Sequence, residues 1–195
     1  MEKYLRSTDI IDWEDPDVSN LARELGHGAA DSVEVAGRCF EWVRDEIRHS
    51  SDFQLNPVTC MASEVLRHRT GFCYSKCHLL TALLRANGLP AGLCYQRLSI
   101  DGHGAPFGLH GLSAVLLPGV GWFRLDPRGN NTEVTTAFNP PDEKLACQPT
   151  MSGETDLPVV YPDPLEVVLE SLRNFKSWDA LVDNLPDVVV LSDLR

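Results

Sequence analysis

The stretch "RTGFCYSKCHLLTALLRANGLPAG", residues 69–92, decides the fold. It places Cys73 directly after Thr-Gly-Phe, at the start of a segment rich in leucine and alanine, and Gly88 and Pro90 just beyond that segment. Glycine and proline after an apolar run are typical of a helix end, so the pattern predicts a helix from about Cys73 to Asn87. Its apolar residues wrap widely around the helix, which predicts a central, buried position.

Cys73 opens this helix, and that position allows two interpretations. A buried cysteine usually acts as a small, inert hydrophobic residue. A cysteine at a helix N-terminus differs, because the positive end of the helix dipole favours the thiolate. If Cys73 is a nucleophile, the chain must also supply a histidine to take its proton and a group to orient that histidine.

The composition limits the classes of function. The chain has 195 residues, 43% of them hydrophobic, and a formal net charge of −11. This acidic balance argues against nucleic acid or an anionic membrane surface as the main partner, since both need a basic face. We find no apolar signal-peptide region and no membrane span. Six cysteines without a disulfide framework then predict a cytoplasmic protein with reduced thiols.

The pattern of the whole chain predicts helices first and antiparallel strands afterwards. The predicted helices are residues 15–26, 31–50, 59–69, 73–87, 163–175 and 177–185, the last two opened by a capping Asp or Ser, and residues 51–57 are a predicted loop. The predicted strands are residues 91–100, 110–117 and 122–126, the last two joined by a Pro-Gly-Val-Gly turn. This order predicts an α+β fold with helices packed on one side of a small antiparallel β-sheet.

We expect a single domain over residues 1–195, with a core at about residues 35–130. The segment 129–163 is rich in Pro, Asn and Thr and has little regular pattern. Long loops in compact domains often cover sites, so this segment is predicted to be a lid.

His110 and Asp126 are the partners that the strand pattern favours for the cysteine. His110 opens the first strand of the predicted hairpin and Asp126 ends the second. A turn at residues 118–120 pairs residues whose numbers sum to about 238, so the two side chains lie diagonally on one face of the sheet. A change of one residue in this register would separate them. His78, five residues after the cysteine, lies roughly 140° around the same helix and faces away.

A cysteine, a histidine and a carboxylate together perform acyl transfer. The thiolate attacks an acyl carbon, the imidazole moves the proton, and the carboxylate fixes the tautomer of the ring. The backbone N–H of Cys73, at the start of the helix, would point at the developing oxyanion. The side chains of Gln54, Asn56 and Tyr74 are candidates for a second oxyanion donor.

Three motifs resemble the core of the transglutaminase-like superfamily of papain-type cysteine enzymes. In that family Gly-x-Cys opens a helix that ends in Leu-Leu-Arg-x-x-Gly-x-Pro-Ala, a strand begins His-Ala-Trp, and a later strand ends Trp-x-x-x-Asp-Pro. The matching segments here are "GFC…LLRANGLPAG", "HGL" and "WFRLDP", and "CFEWVRDEIRH" resembles the preceding helix. The resemblance implies that Cys73 is the catalytic nucleophile, His110 the base and Asp126 the orienting carboxylate.

Two departures from the family pattern lie beside this site. Gly111-Leu112 stands where Ala-Trp usually follows the histidine, and Arg128 stands where Thr is common after Asp-Pro. These positions affect the range of substrates more than the triad itself.

The function implied by the resemblance is that of a thiol-dependent hydrolase or acyltransferase. Such an enzyme acts on an amide or peptide bond of a peptide or protein substrate, through a thioester on Cys73, and needs no cofactor. Two alternatives remain open. One is a binding module on the same fold with a closed cleft. The other is an arylamine-type acyltransferase, whose paired glycines and arginine before the cysteine are only partly matched by "RTGFC".

The sequence Cys73-x-x-x-Cys77-His78 is a weaker candidate for a metal site. Its spacing is helical and no second ligand pair stands nearby, whereas zinc sites usually combine Cys-x-x-Cys with further ligands. We therefore predict no bound metal. Cys77 is predicted to pack in the core, although its position one turn from Cys73 would also allow it to resolve an oxidised Cys73 as a disulfide.

Overall fold

The computed structural model describes residues 1–188. The predicted domain over residues 1–195 includes residues 189–195, which lie outside the described residues. The helices are α1 (Pro16–Gly26), α2 (Ser32–Glu46), α3 (Ser50–Phe53), α4 (Ala62–His68), α5 (Cys73–Ala86), α6 (Glu166–Asn174) and α7 (Trp178–Val182). The strands are β1 (Arg48–His49), β2 (Thr70–Gly71), β3 (Ala91–Ser99), β4 (Phe107–Leu117), β5 (Gly121–Leu125) and β6 (Thr155–Asp156).

Helix α5 lies at the centre of the fold, as its apolar pattern predicts. Thirteen of its 14 residues are buried. It packs against α1, α2 and α4 and against strands β3 and β4. Strands β5, β4, β3 and β6 form one antiparallel sheet in that order. The predicted α+β class is confirmed. Within residues 1–188, no helix is both long and apolar enough to cross a bilayer.

The hairpin of β4 and β5 has the predicted register. Ser113 lies opposite Leu125, and Leu117 lies opposite Gly121, so the numbers in each pair sum to 238. Strand β4 begins at Phe107, three residues before the predicted start, because it pairs with β3 as far as the Ser99–Phe107 pair. The histidine at position 110 therefore lies inside a strand that is fixed by pairing.

The chain leaves the helical path of α2 earlier than predicted. The helix ends at Glu46, and Ile47 is already extended. Residues Arg48–His49 pair in parallel with Thr70–Gly71, and the next four residues form the single turn α3 where a loop begins in the prediction. The cause is a long-range pairing between two very short strands, which a local apolar pattern does not report.

The predicted caps of the two C-terminal helices are wrong. Helix α6 begins after Leu165, which has no capping side chain. Ser177 stands at the N-cap of α7, but its side chain makes no capping hydrogen bond.

Lys76 on α5 joins the end of α2 to the segment that follows β5. Its side chain is fully buried, and Nζ donates to the carbonyl oxygen of Arg128 at 3.1 Å, of Arg44 at 3.4 Å and of Ile47. A buried ammonium is tolerated only where its donors are satisfied, and three carbonyl acceptors meet that need here. Lys76 therefore fixes two segments that approach the start of α5.

Candidate active site

Cys73 is the first residue of α5 and lies at the base of a cleft. The preceding residue, Phe72, provides no capping side chain. The first N–H groups of a helix have no acceptor within the helix, so those of α5 are available to a ligand. The thiol is 8% exposed, and its Sγ accepts a hydrogen bond from the N–H of Gly111 at 3.5 Å. Strand β4 therefore lies directly against the cysteine.

Gly111 allows this close approach of strand and helix. A Cβ atom at this position would lie 3.2 Å from Cα and 3.3 Å from N of Tyr74. Both distances are tighter than ordinary van der Waals contact, and both involve backbone that cannot swing away. The missing side chain lets the strand that carries His110 pack onto the first turn of α5.

His110 and Asp126 form a buried hydrogen-bonded pair. Nε2 of the ring lies 2.9 Å from Oδ2 of the carboxylate. The same Oδ2 accepts from the N–H of Ala146 at 2.9 Å, and Oδ1 accepts from the N–H of Arg128 at 3.1 Å. A carboxylate that receives several hydrogen bonds favours its ionised form, and an ionised partner keeps the ring proton on Nε2. Nδ1 is then the nitrogen left for the thiol of Cys73.

The charges of the pair support each other. Burial by itself lowers the pKa of His110, but the Asp126 carboxylate and the thiol of Cys73 raise it well above its usual value. Burial raises the pKa of Asp126, but the charge and hydrogen bond of His110 and the two backbone N–H groups lower it overall. The imidazole is therefore a stronger base than a free histidine, beside a carboxylate that stays ionised.

Cys73 and His110 open into a cleft of about 390 Å³. Its walls are mostly apolar and are formed by Phe72, Leu98, Ile100, Leu109, Val182 and Leu185. Cys147, from the predicted lid segment, also lines the cleft. Side chains from α5, the sheet and the C-terminal part of the chain therefore surround the thiol.

His49 lines the same cleft and has no role in the sequence-based prediction. Its pairing partner across β1 and β2 is Gly71, two residues before the cysteine. The ring lies edge-on to Phe72, with centroids 5.7 Å apart, and Nδ1 lies 3.0 Å from Oγ of Ser51. Burial, together with the Arg128 cation, lowers the pKa of His49 to about 3, so this ring is neutral at ordinary pH.

Arg128, which stands where the family commonly has Thr, links the two histidines. Its backbone N–H binds Asp126, the partner of His110. Its guanidinium donates to both oxygens of Asp52, at 2.8 Å and 2.9 Å, and Asp52 in turn lies 3.6 Å from Nδ1 of His49. A single residue therefore contacts the carboxylates beside both rings.

The predicted second oxyanion donors do not point a free donor at the thiol. Gln54 is exposed, in a left-handed conformation at the end of α3, outside the cleft. The side chain of Asn56 accepts from the N–H of Trp178, also away from the cleft. The hydroxyl of Tyr74 donates to the carbonyl of Leu109.

The other predicted details of α5 hold. His78 is buried, with Nδ1 2.7 Å from the carbonyl oxygen of Cys60, and does not line the cleft. Cys77 is buried in the core. All six cysteines are unpaired. Among residues 1–188, no cluster of three His, Cys, Asp or Glu side chains is arranged to hold a metal ion.

Comparisons with known proteins agree with the architecture. A structure described as a candidate cysteine protease from Cytophaga hutchinsonii aligns with a TM-score of 0.52 and 18% identity, over 64% of this chain and 40% of that chain. The periplasmic domain of TgpA from Pseudomonas aeruginosa aligns with a TM-score of 0.44 and 22% identity, over 58% of this chain and 42% of that chain. The match thus spans less than half of each of these two proteins.

A comparison with curated proteins finds no match. A family model described as the transglutaminase-like superfamily matches residues 19–127, more than half of the chain. The matched region contains α5, the β4–β5 hairpin and the residues Cys73, His110 and Asp126. This chain belongs to the transglutaminase-like superfamily.

Proposed function

We propose that this protein is a thiol-dependent hydrolase or acyltransferase that cleaves an amide or peptide bond through a thioester on Cys73. The observation that carries the proposal is the position of a thiol at the start of a helix, beside a histidine whose pKa is raised by a buried carboxylate. This combination supplies a nucleophile, a base and an orienting group within one cleft.

In the first half-reaction, Nδ1 of His110 takes the proton of the Cys73 thiol, and Sγ attacks the carbonyl carbon of the substrate. The electron pair of the carbonyl bond moves to the oxygen, near the N–H of Cys73. When the tetrahedral intermediate collapses, the C–N bond breaks and His110 gives its proton to the leaving amine. The acyl group stays on Sγ as a thioester.

In the second half-reaction, water or an amine attacks the thioester carbon and gives its proton to His110. The C–S bond breaks, and the thiolate recovers its proton from the imidazolium. Asp126 stabilises the imidazolium in both halves without itself becoming protonated. The enzyme is a hydrolase if water is the acceptor and an acyltransferase if an amine is.

The lining of the cleft supports a peptide or protein substrate with an apolar side chain next to the reacting bond. Leu98, Leu109 and Leu185 present hydrocarbon to the space in front of the thiol. Burial of one aliphatic side chain in such a space contributes roughly 1.5–3 kcal/mol to binding. We propose the cytoplasm as the compartment, and six unpaired thiols support it, since disulfides form mainly in oxidising compartments.

The proposal is tested by mass spectrometry of the protein after exposure to a panel of p-nitrophenyl esters and p-nitroanilides with apolar, polar and charged acyl groups. We expect one acyl adduct, on Cys73, which forms fastest with apolar acyl groups and is absent from Cys73→Ala. Addition of a primary amine then separates aminolysis of the thioester from hydrolysis. A folded protein whose Cys73 accepts no acyl group from any probe would contradict the proposal and favour a binding module on the same fold.

A further inference from the structure

We propose that the Nε2–H group of His49 is the second donor to the oxyanion, opposite the backbone N–H of Cys73. The inference rests on the proposed function, because an oxyanion forms only if the thiol attacks an acyl group. It names a residue for a task that the triad leaves open: one backbone donor stabilises the tetrahedral intermediate less than two donors do.

The backbone places His49 beside the nucleophile. The parallel pairing of β1 with β2 fixes His49 opposite Gly71, and the chain reaches Cys73 two residues later. The ring is 7% exposed and lies against Phe72, the residue that precedes the cysteine. It shares the lining of the cleft with Cys73 and His110. A carbonyl group in front of the thiol would therefore have the ring of His49 within its surroundings.

The hydrogen bond at Nδ1 indicates which nitrogen carries the proton. The Ser51 hydroxyl lies 3.0 Å from Nδ1 of His49 and 3.5 Å from Oδ1 of Asp52, so its proton is directed at the ring. The Asp52 oxygens are already occupied by both guanidinium nitrogens of Arg128 and by the amide of Asn131. With Nδ1 as an acceptor, the proton of the neutral ring resides on Nε2.

Nε2 is the donor that remains. It has no hydrogen-bond partner among residues 1–188, in a ring that is more than nine-tenths buried and lines the cleft. Burial and the Arg128 cation keep the ring neutral, so it can donate a hydrogen bond without competing with His110 as a proton donor to the leaving group. The Arg128 charge also favours negative charge developing nearby.

The test compares two reactions of the same thiol in the wild type, His49→Asn and His49→Gln. Acylation by a p-nitrophenyl ester passes through an oxyanion, whereas alkylation by iodoacetamide displaces iodide at a saturated carbon and forms none. The Gln amide nitrogen reaches the place of Nε2, and the shorter Asn amide does not. We expect His49→Asn to slow acylation about 100-fold or more, as loss of an oxyanion donor does elsewhere.

The alkylation rate should stay unchanged in both variants, and His49→Gln should recover a large part of the acylation rate. Wild-type acylation in His49→Asn would overturn the inference and leave the proposed function intact. Equal losses in both reactions would also overturn it, because His49 would then only position the thiol. A wild-type protein that alkylates but never acylates would contradict the proposed function, and this inference with it.

The tautomer supplies an independent measurement. The ¹⁵N shifts of the wild-type His49 ring should report a proton on Nε2. A proton on Nδ1 would overturn the inference even if the kinetic effects were present.

Discussion

The carboxylate of Asp126 lies 2.9 Å from the ring of His110, across the β4–β5 hairpin, and is 1% exposed. The register of the hairpin makes this contact, since each residue is positioned by pairs that continue to the turn. The contact orients the ring so that Nδ1 remains for the thiol. It is the relationship on which the proposed chemistry depends.

Asp126→Asn should leave the fold intact and lower turnover on an amide or ester substrate by about 10⁴-fold. An amide at this position can present its NH₂ group to Nε2 and so favour the wrong tautomer, which has that effect in serine triads. The measurement is kcat/KM together with a thermal melt. The matched control is Asp142→Asn, at an exposed carboxylate outside the cleft. Unchanged turnover at unchanged stability would remove Asp126 from the mechanism.

Lys76→Met should lower the free energy of unfolding by about 3 kcal/mol or more. The substitution leaves the carbonyls of Arg44, Ile47 and Arg128 without their donor, and a buried acceptor left unsatisfied costs about 1–3 kcal/mol. Burial lowers the pKa of Lys76 to about 7, so denaturant unfolding at pH 6 tests the charged form. Lys144→Met, at an exposed lysine, is the control. Equal stability of the two variants would contradict this role.

Acidification from pH 6.5 to pH 5 should destabilise the protein through its neutral buried histidines. Burial lowers the pKa of His78 to about 4, and the pKa of His49 is about 3, both below the unfolded value of 6.5. In this window the unfolded chain binds protons that the folded chain does not, so stability falls with pH by up to about 1.4 kcal/mol per pH unit for each group. His110 adds no slope here, because its raised pKa keeps it protonated in both states.

The variant His78→Asn isolates one of these groups. Its amide nitrogen can keep the hydrogen bond to the carbonyl of Cys60 but does not titrate. Urea unfolding at several pH values should give a shallower slope for this variant than for the wild type, with His27→Asn as the control for loss of an exposed histidine. An unchanged slope would show that His78 does not titrate as described.

The segment 129–163 is predicted to act as a lid. Ala146 in this segment donates to Asp126, and Cys147 lines the cleft. We expect fast hydrogen exchange over most of the segment and slower exchange once an acyl probe is bound. The short strand Thr155–Asp156 should exchange more slowly throughout, because it pairs with β3. Equal exchange with and without the probe would count against a lid.

The core of the fold and the triad are predictable from sequence for a physical reason. The helix at Cys73 has a strong apolar pattern with a stop, and the turn at residues 118–120 fixes the hairpin register. Each signal is local, and each determines the position of one site residue. The order of the three family motifs adds the connection between them.

The position of His49 is not predictable in the same way. It depends on a parallel pair of two-residue strands, between Arg48–His49 and Thr70–Gly71, that no periodic pattern marks. The same pairing ends α2 early, at Glu46. The contact of Arg128 with Asp52 likewise joins residues 76 positions apart, and only the folded chain brings them together.

The reactivity of the six thiols tests the central claim most directly. Burial raises the pKa of Cys39 and Cys94 to about 12 and of Cys60 to about 11, and burial likewise raises those of Cys77 and Cys147. At pH 6 even a free thiol is only about 0.3% thiolate. Substoichiometric iodoacetamide at pH 6, followed by peptide mapping, should therefore label Cys73 first, and His110→Ala should abolish most of that preference. Labelling of Cys147, in the same cleft, before an inert Cys73 would contradict the assignment of the nucleophile.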